Sequence, residues 1–245
     1  MDGFLLIDKE KGWTSFDVVK KVRGIFGEKK VGHTGTLDPL ATGLLILALG
    51  KCTKLVGFLS CMDKEYEFSA KFGYVSDTYD AEGKIEKYAN YDGSVLSENE
   101  IKSVIDKNFI GEILQVPPKY SALKVKGKRA CDLARKGKDF VLNPRKIKIY
   151  SFDIVSLKWP NAAFKVKCGS GTYVRSLVND LGVLLGVGAY VESLRRTKIG
   201  TYNVKGAILV GDLNINNLIP KHTAGVLARC REPACGGRTP NILHA

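Results

Sequence analysis

The chain has 245 residues, 44% hydrophobic and 26% charged, the proportions of a soluble globular protein long enough for one large domain or a domain plus a small appendage. No apolar run approaches the roughly 20 residues that cross a bilayer, and Met1-Asp2-Gly3-Phe4-Leu5-Leu6-Ile7-Asp8-Lys9 is no signal peptide, so a cytoplasmic protein without membrane contact is expected. The net charge of +13 points to a polyanionic partner, and nucleic acid is the commonest one.

Phe4 to Ile7 reads as a buried strand. Gly12-Trp13-Thr14-Ser15 then turns the chain, with Ser15 as N-cap of a helix through Phe26; Val18, Val19, Val22, Ile25 and Phe26 recur on it at helical spacing. The next stretch, Gly32-His33-Thr34-Gly35-Thr36-Leu37-Asp38-Pro39-Leu40-Ala41-Thr42-Gly43, is polar and punctuated by three glycines. Glycines this close predict a tight, specifically shaped loop. It carries one imidazole, three hydroxyls and a single carboxylate, Asp38, which on such a loop suits a nucleophile or a general acid or base. Asp38-Pro39 equally fits a helix start, with Asp as N-cap and Pro at the first helical position, and spacing by itself favours that structural role. A lone His33 is likewise more often structural than catalytic.

Leu44 to Leu49 is a strand-length apolar run, and Thr53 to Ser60 reads as a short helix. Lys64 to Gly73 alternates as a strand, with Tyr66 and Phe68 on one face and Glu65 and Glu67 on the other. By residue type Tyr66 reads as a core aromatic. Asp77 to Gly83 is a polar loop, and Ser97 to Phe109 opens with a capping-box pattern and reads as a helix. Between Lys119 and Lys148, eleven Lys and Arg stand against Asp132 and Asp139, a net of +9 in about an eighth of the chain. Val116-Pro117-Pro118, Tyr120, Leu123, Leu133 and Phe140 interrupt the charge with docking groups, which favours a shaped RNA-binding arm over a solvated loop. Prolines and glycines break the helical period that a membrane-surface helix needs. Arg145 to Leu157 and Ala162 to Cys168 alternate as strands, and a turn at Gly169 to Gly171 precedes a helix from Thr172 to about Leu185. On that helix Arg175 reads, by position alone, as a surface residue.

The six cysteines, Cys52, Cys61, Cys131, Cys168, Cys230 and Cys235, include no C-x-x-C pair and read as reduced, mostly buried thiols. Cys230 and Cys235 with His222 and His244 fit no standard zinc-finger spacing. No phosphate loop, dinucleotide fingerprint or metal-ligand cluster appears in the sequence.

His33-Thr34-Gly35-Thr36-Leu37-Asp38-Pro39-Leu40-Ala41-Thr42-Gly43 resembles the signature of TruB-type tRNA pseudouridine synthases. Other motifs follow in that family's order. Lys9-Glu10-Lys11-Gly12-Trp13-Thr14-Ser15 resembles its first motif. Gln115-Val116-Pro117-Pro118-Lys119-Tyr120-Ser121-Ala122-Leu123-Lys124 resembles a second signature, and Gly171-Thr172-Tyr173-Val174-Arg175-Ser176-Leu177 a third. One departure is Cys131, where the family usually has an aromatic. The resemblance covers residues 3 to about 213. It implies an α+β pseudouridine synthase fold, a mainly antiparallel central sheet flanked by helices, with a catalytic domain over 1–213 and a basic RNA-binding arm at about 115–148. The remainder, 214–245, is expected to be a short tail and no complete PUA domain.

The implied reaction isomerises a uridine in RNA: the bond to N1 breaks, the uracil turns, and a bond to C5 forms, with no cofactor or metal. The catalytic residues implied are Asp38, Arg175, which pairs with the aspartate and holds it ionised, and Tyr66. His33, Tyr66, Tyr173 and Leu194 would touch the substrate: Tyr66 and Tyr173 offer aromatic faces to the extruded base, and His33 holds the opened RNA. Lys119, Lys124, Lys126, Lys128 and Arg129 would grip phosphates, giving an affinity that falls steeply with salt. The expected substrate is the T-loop uridine of tRNA, position 55, on the T-arm stem-loop, with the protein acting as a monomer without an obligate protein partner. The alternatives are a guide-RNA-dependent relative acting on ribosomal RNA and a tRNA-folding chaperone without chemistry. The short C-terminus and the form of the arm argue against the first, and the set Asp38-Tyr66-Arg175 against the second. Whether Asp38 attacks C1′, attacks C6 or removes a ribose proton stays open at this level.

Overall fold

The computed structural model describes residues 1–220, so the readings made for His222, Cys230, Cys235, His244 and the tail from 221 on lie outside the described residues. In chain order the elements are β1 (Gly3–Lys9), α1 (Ser15–Phe26), β2 (Val31–His33), β3 (Thr42–Leu49), α2 (Val56–Ser60), β4 (Lys64–Phe72), β5 (Tyr74–Ser76), β6 (Ile85–Lys87) and α3 (Glu98–Asn108). They continue as β7 (Gly111–Gln115), β8 (Lys124–Val125), β9 (Lys128–Arg129), α4 (Ala130–Arg135), β10 (Arg145–Lys158), β11 (Asn161–Cys168), α5 (Val174–Leu184), β12 (Ala189–Ile199), β13 (Tyr202–Asn203), β14 (Ile208–Leu209) and β15 (Ile219–Pro220). Among the described residues the chain forms two compact units, Met1–Asp63 with 197–220, and Lys64–Arg196. The expected α+β fold with a mainly antiparallel sheet is what forms.

In the first unit β1 and β3 pair antiparallel from Gly3↔Leu49 to Lys9↔Gly43, and β2 pairs with the far end of β3. β14 runs parallel to β1. Every residue of β3 after Thr42 is buried. That is why Leu44 to Leu49 is apolar without alternation: both faces of the strand are covered. Leu44, Ile46 and Ala48 join Phe4, Cys52, Leu59 and Ile199 in one core cluster, while Leu45, Leu47 and Leu49 are buried on the opposite face. On α1, Val18, Val19, Val22 and Phe26 are buried. Its N-cap is Thr14 and not Ser15: Thr14 Oγ1 accepts Asp17 N–H and Asp17 caps Thr14 in return. Ser15 is thereby released for another task.

In the second unit β4, β11, β10 and β7 form a continuous antiparallel run. The alternation read in β4 holds, with Tyr66, Phe68, Ala70 and Phe72 buried. Phe68, Phe152 and Phe164 pack with ring centroids 5.4–5.8 Å apart, and Phe109 at the end of α3 meets Phe152 at 5.9 Å. α3 has the expected Ser97–Glu100 capping box and buries Ile101 and Ile105. Cys52 and Cys168 are buried free thiols and Cys131 a half-buried one.

Candidate active site

Asp38 does not begin a helix. The chain from Thr34 to Ala41 is a loop between β2 and β3, and Ala41 N–H closes a turn onto Asp38 O at 3.0 Å with Pro39 at its second position. Gly35 (φ 142°) and Gly43 (φ 100°) bracket the loop in conformations that L side chains rarely adopt, which accounts for two of its three glycines. The peptide groups beside Asp38 are clamped from the first motif. Ser15 Oγ accepts Leu37 N–H at 2.8 Å and donates to Leu37 O at 3.1 Å, and Gly12 N–H donates to Pro39 O at 2.9 Å. The Gly12–Ser15 turn is held in turn by Lys9, fully buried, whose Nζ donates to Glu10 O and Trp13 O at 3.0 and 2.7 Å. So the first motif is the mould of the Asp38 loop. Asp38 is half-buried, as is His33, whose Nδ1 accepts Gly35 N–H at 3.4 Å. Thr34 Oγ1 is buried and has no hydrogen-bond partner among the described residues.

The remaining candidates lie in the second unit. Tyr66 and Leu194 are each 8% exposed, on β4 and β12. Tyr173 is the N-cap of α5, with extended backbone (φ −107°, ψ 109°). Arg175 is not a surface residue: it is 5% exposed on the first turn of α5. Its guanidinium donates to Thr78 O at 2.9 Å and to Tyr120 O at 2.8 Å, and Nη1 lies 3.5 Å from Asp80 Oδ2. A guanidinium out of water needs a counter-charge and several acceptors, and this one has both. Asp80, 3% exposed, also accepts Thr78 Oγ1–H at 2.6 Å and Glu82 N–H at 3.0 Å. The residue before it, Tyr79, adopts φ 65°, a conformation that costs a non-glycine residue about 1–3 kcal/mol and tends to gather at functional sites. Tyr79 N–H bonds Ser76 O, and Val191 N–H bonds Tyr79 O. Burial, with Asp180 nearby, pushes the Tyr79 phenol up, and burial raises the Asp180 carboxyl itself.

The sequence reading missed Asp80, which it absorbed into a polar loop; its signal was a carboxylate beside Thr78 in a segment too short to be a linker. It took Ser15 for a cap because hydroxyls at helix starts usually are caps. Both work through tertiary partners 22 to 95 residues away, which no local pattern encodes.

The basic arm is a shaped element. Lys126 (φ 48°) and Gly127 (φ 83°) form the two-residue turn of the β8–β9 hairpin, a mirror-image turn suited to strand twist. Cys131 N–H and Ala130 N–H tie α4 back to Ser121 O and Leu123 O. Lys119, Lys124, Lys126, Lys128 and Arg129 are exposed. A cavity of about 460 Å³ is lined by Lys124, Lys128, Arg129, Arg135, Lys136 and Lys138 with Asp132. Six cations around one carboxylate make it a concavity suited to phosphate oxygens. Among the described residues no group of three or more His, Cys, Asp or Glu could hold a metal ion, and no helix is long and apolar enough to cross a membrane.

The chain is similar to known proteins in sequence and in fold. Residues 23–174 match the family model for the TruB family pseudouridylate synthase N-terminal domain, and 175–230 that for the tRNA pseudouridylate synthase B C-terminal domain. The chain is 50% identical over 218 residues to the tRNA pseudouridine synthase B of Clostridium acetobutylicum, covering 89% of this chain and 74% of that one. To that of Aquifex aeolicus it is 49% identical over 210 residues, covering 85% and 72%. Among solved structures, a Cbf5-Nop10-Gar1 complex has a chain 31% identical with a TM-score of 0.66, covering 86% of this chain. An H/ACA RNP bound to a substrate RNA containing 2′-deoxyuridine has one 29% identical with a TM-score of 0.63, again over 86%. This chain spans about half the length of those two solved chains, 53% and 52%. With a shaped Asp38 loop, a buried arginine on the first turn of α5 and matches running from residue 23 to 230, this chain belongs to the TruB family of pseudouridylate synthases.

Proposed function

We propose that this protein isomerises a uridine of tRNA to pseudouridine, at the T-loop position 55. The glycosidic N1–C1′ bond breaks, the uracil turns within the site, C5 bonds to C1′, the C5 proton leaves to solvent, and N1 ends protonated. Atoms and electrons balance within the substrate, so the chemistry calls for no external group. The observation that carries the reading is the Asp38 loop, a turn clamped on both sides of its one carboxylate, in a chain 50% identical to one tRNA pseudouridine synthase B. A rigid mount keeps a reacting carboxylate in attack geometry without an entropic cost at each turnover.

Asp38, Tyr66 and Arg175 are the catalytic residues in this reading. His33, Tyr66, Tyr173 and Leu194 contact the extruded nucleotide, and Lys119, Lys124, Lys126, Lys128 and Arg129 hold phosphates of the T-arm from a basic arm at about 115–148. The protein acts in the cytoplasm, as a monomer, with no obligate protein partner. A guide-RNA-dependent role on ribosomal RNA is the second reading, favoured by the likeness to H/ACA chains, but at 29–31% identity it ranks below the tRNA reading.

The test uses an unmodified tRNA transcript tritiated at C5 of uridine, with wild type and Asp38→Asn. Wild type should release one equivalent of tritium per tRNA. Release should vanish when the T-loop uridine is replaced, and in Asp38→Asn, whose tRNA affinity should stay within about threefold. Release that survives replacement of that uridine refutes the position, and tight binding without any release refutes the reaction.

A further inference from the structure

Within the second unit, the first turn of α5 is tied to the segment from which the basic arm springs. Gln115, the last residue of β7, is 2% exposed, and its side-chain amide bonds one residue 58 positions away. Its Oε1 accepts Tyr173 N–H at 2.8 Å, and its Nε2 donates to Tyr173 O at 3.0 Å. Two further bonds run between the same segments: Ser176 Oγ donates to Val116 O and Arg175 Nη2 to Tyr120 O, both at 2.8 Å.

The geometry has a clear physical use. Tyr173 precedes α5 with extended backbone, and no side chain caps the helix there. Its N–H lies outside the helical ladder and needs a partner from elsewhere. A glutamine amide presents a donor and an acceptor in one plane, so it meets that N–H and C=O as a neighbouring strand would. The Gln115 backbone is itself set in the sheet, opposite Arg145 at the end of the β7–β10 ladder. A rigid strand thus grips both backbone polar groups of one tyrosine.

We propose that Gln115 is a positioning residue: it fixes the backbone of Tyr173 and so aims the tyrosine ring at the extruded uracil. This rests on the reading of Tyr173 as a wall of the uridine pocket. A ring that stacks on a base works only within a narrow range of direction, so freeing its backbone costs rate and leaves affinity intact, since affinity is carried by phosphate contacts. The Ser176 and Arg175 bonds would survive a change at Gln115, so the arm stays attached.

The test is a double-mutant cycle with Gln115→Met and Tyr173→Ala, read by single-turnover tritium release and by tRNA affinity. Gln115→Met should slow release about 10- to 100-fold with affinity held within about threefold. In the Tyr173→Ala background the same change should cost less than about threefold further, because its target is gone. An equal loss in both backgrounds, a matching loss of affinity, or an unchanged rate overturns the proposal. Should Gln115→Met fail to fold by circular dichroism, Gln115→Glu, which keeps the acceptor for Tyr173 N–H, takes its place in the cycle. A wild type that releases no tritium overturns the reaction itself and this role with it; an active wild type beside indifferent Gln115 variants overturns this role alone.

Discussion

Replacing Asp80 by asparagine removes a negative charge 3.5 Å from the Arg175 guanidinium while keeping side-chain size almost unchanged. Both side chains are at most 5% exposed, so water does not step in to solvate what is left. At an effective dielectric near 20, unit charges at this distance attract by about 5 kcal/mol. Thr78 O and Tyr120 O still accept from Arg175, and the asparagine oxygen can still accept Thr78 Oγ1–H, so part of that is recovered. Breaking a buried pair by removing one partner costs roughly 3–5 kcal/mol, and the lower end applies here. For a chain of this size 3 kcal/mol corresponds to a fall in Tm of about 6–12 °C. Scanning calorimetry of wild type, Asp80→Asn, Arg175→Met and the double variant reads both the loss and the coupling. The double variant should recover part of the Asp80→Asn loss, because the buried cation that Asp80 faces is gone. A Tm within about 2 °C of wild type for Asp80→Asn, or simple additivity in the double variant, would refute the view of Asp80 as the counter-ion that lets Arg175 be buried.

Two further outcomes follow from the geometry. Ser15→Ala removes the partner of both Leu37 N–H and Leu37 O; each unmet buried group costs about 1–3 kcal/mol, so urea unfolding should show a clear loss, and single-turnover release should slow with tRNA affinity kept. Unchanged release in Ser15→Ala would show that the Asp38 loop holds its shape without that clamp. For Asp180 the sign runs the other way from a salt-bridged carboxylate. Burial raises its folded-state pKa above the unfolded value, so the folded state binds the proton more tightly and stability falls as pH rises through the interval between the two. Asp180→Asn, which never ionises, should therefore raise Tm above that interval, with the gain shrinking as the pH drops below it. A gain of the same size at every pH would count against desolvation as the cause.

Much of this protein was legible before any coordinates, and the reason is local. Strand β4 announces itself by alternation because one of its faces is buried, and α3 by a capping box whose two members lie three residues apart. The Asp38 loop is legible through its glycines, since a positive φ at Gly35 and Gly43 is a constraint on the residue itself. Position misled wherever a side chain served a distant segment. Ser15 looked like a cap but clamps Leu37, Arg175 looked like a surface residue but lies buried against Asp80, and Gln115 was one letter in a motif but holds Tyr173. Sequence alone marked β1, α1, β3, β4, α3, β10, β11 and α5, the basic arm and the candidate carboxylate, because propensity, periodicity and backbone strain act within a few residues. Only the tertiary structure decided which polar side chains are taken out of water and what satisfies them there, because a buried donor or charge finds its partner across space and the chain carries no local mark of that pairing.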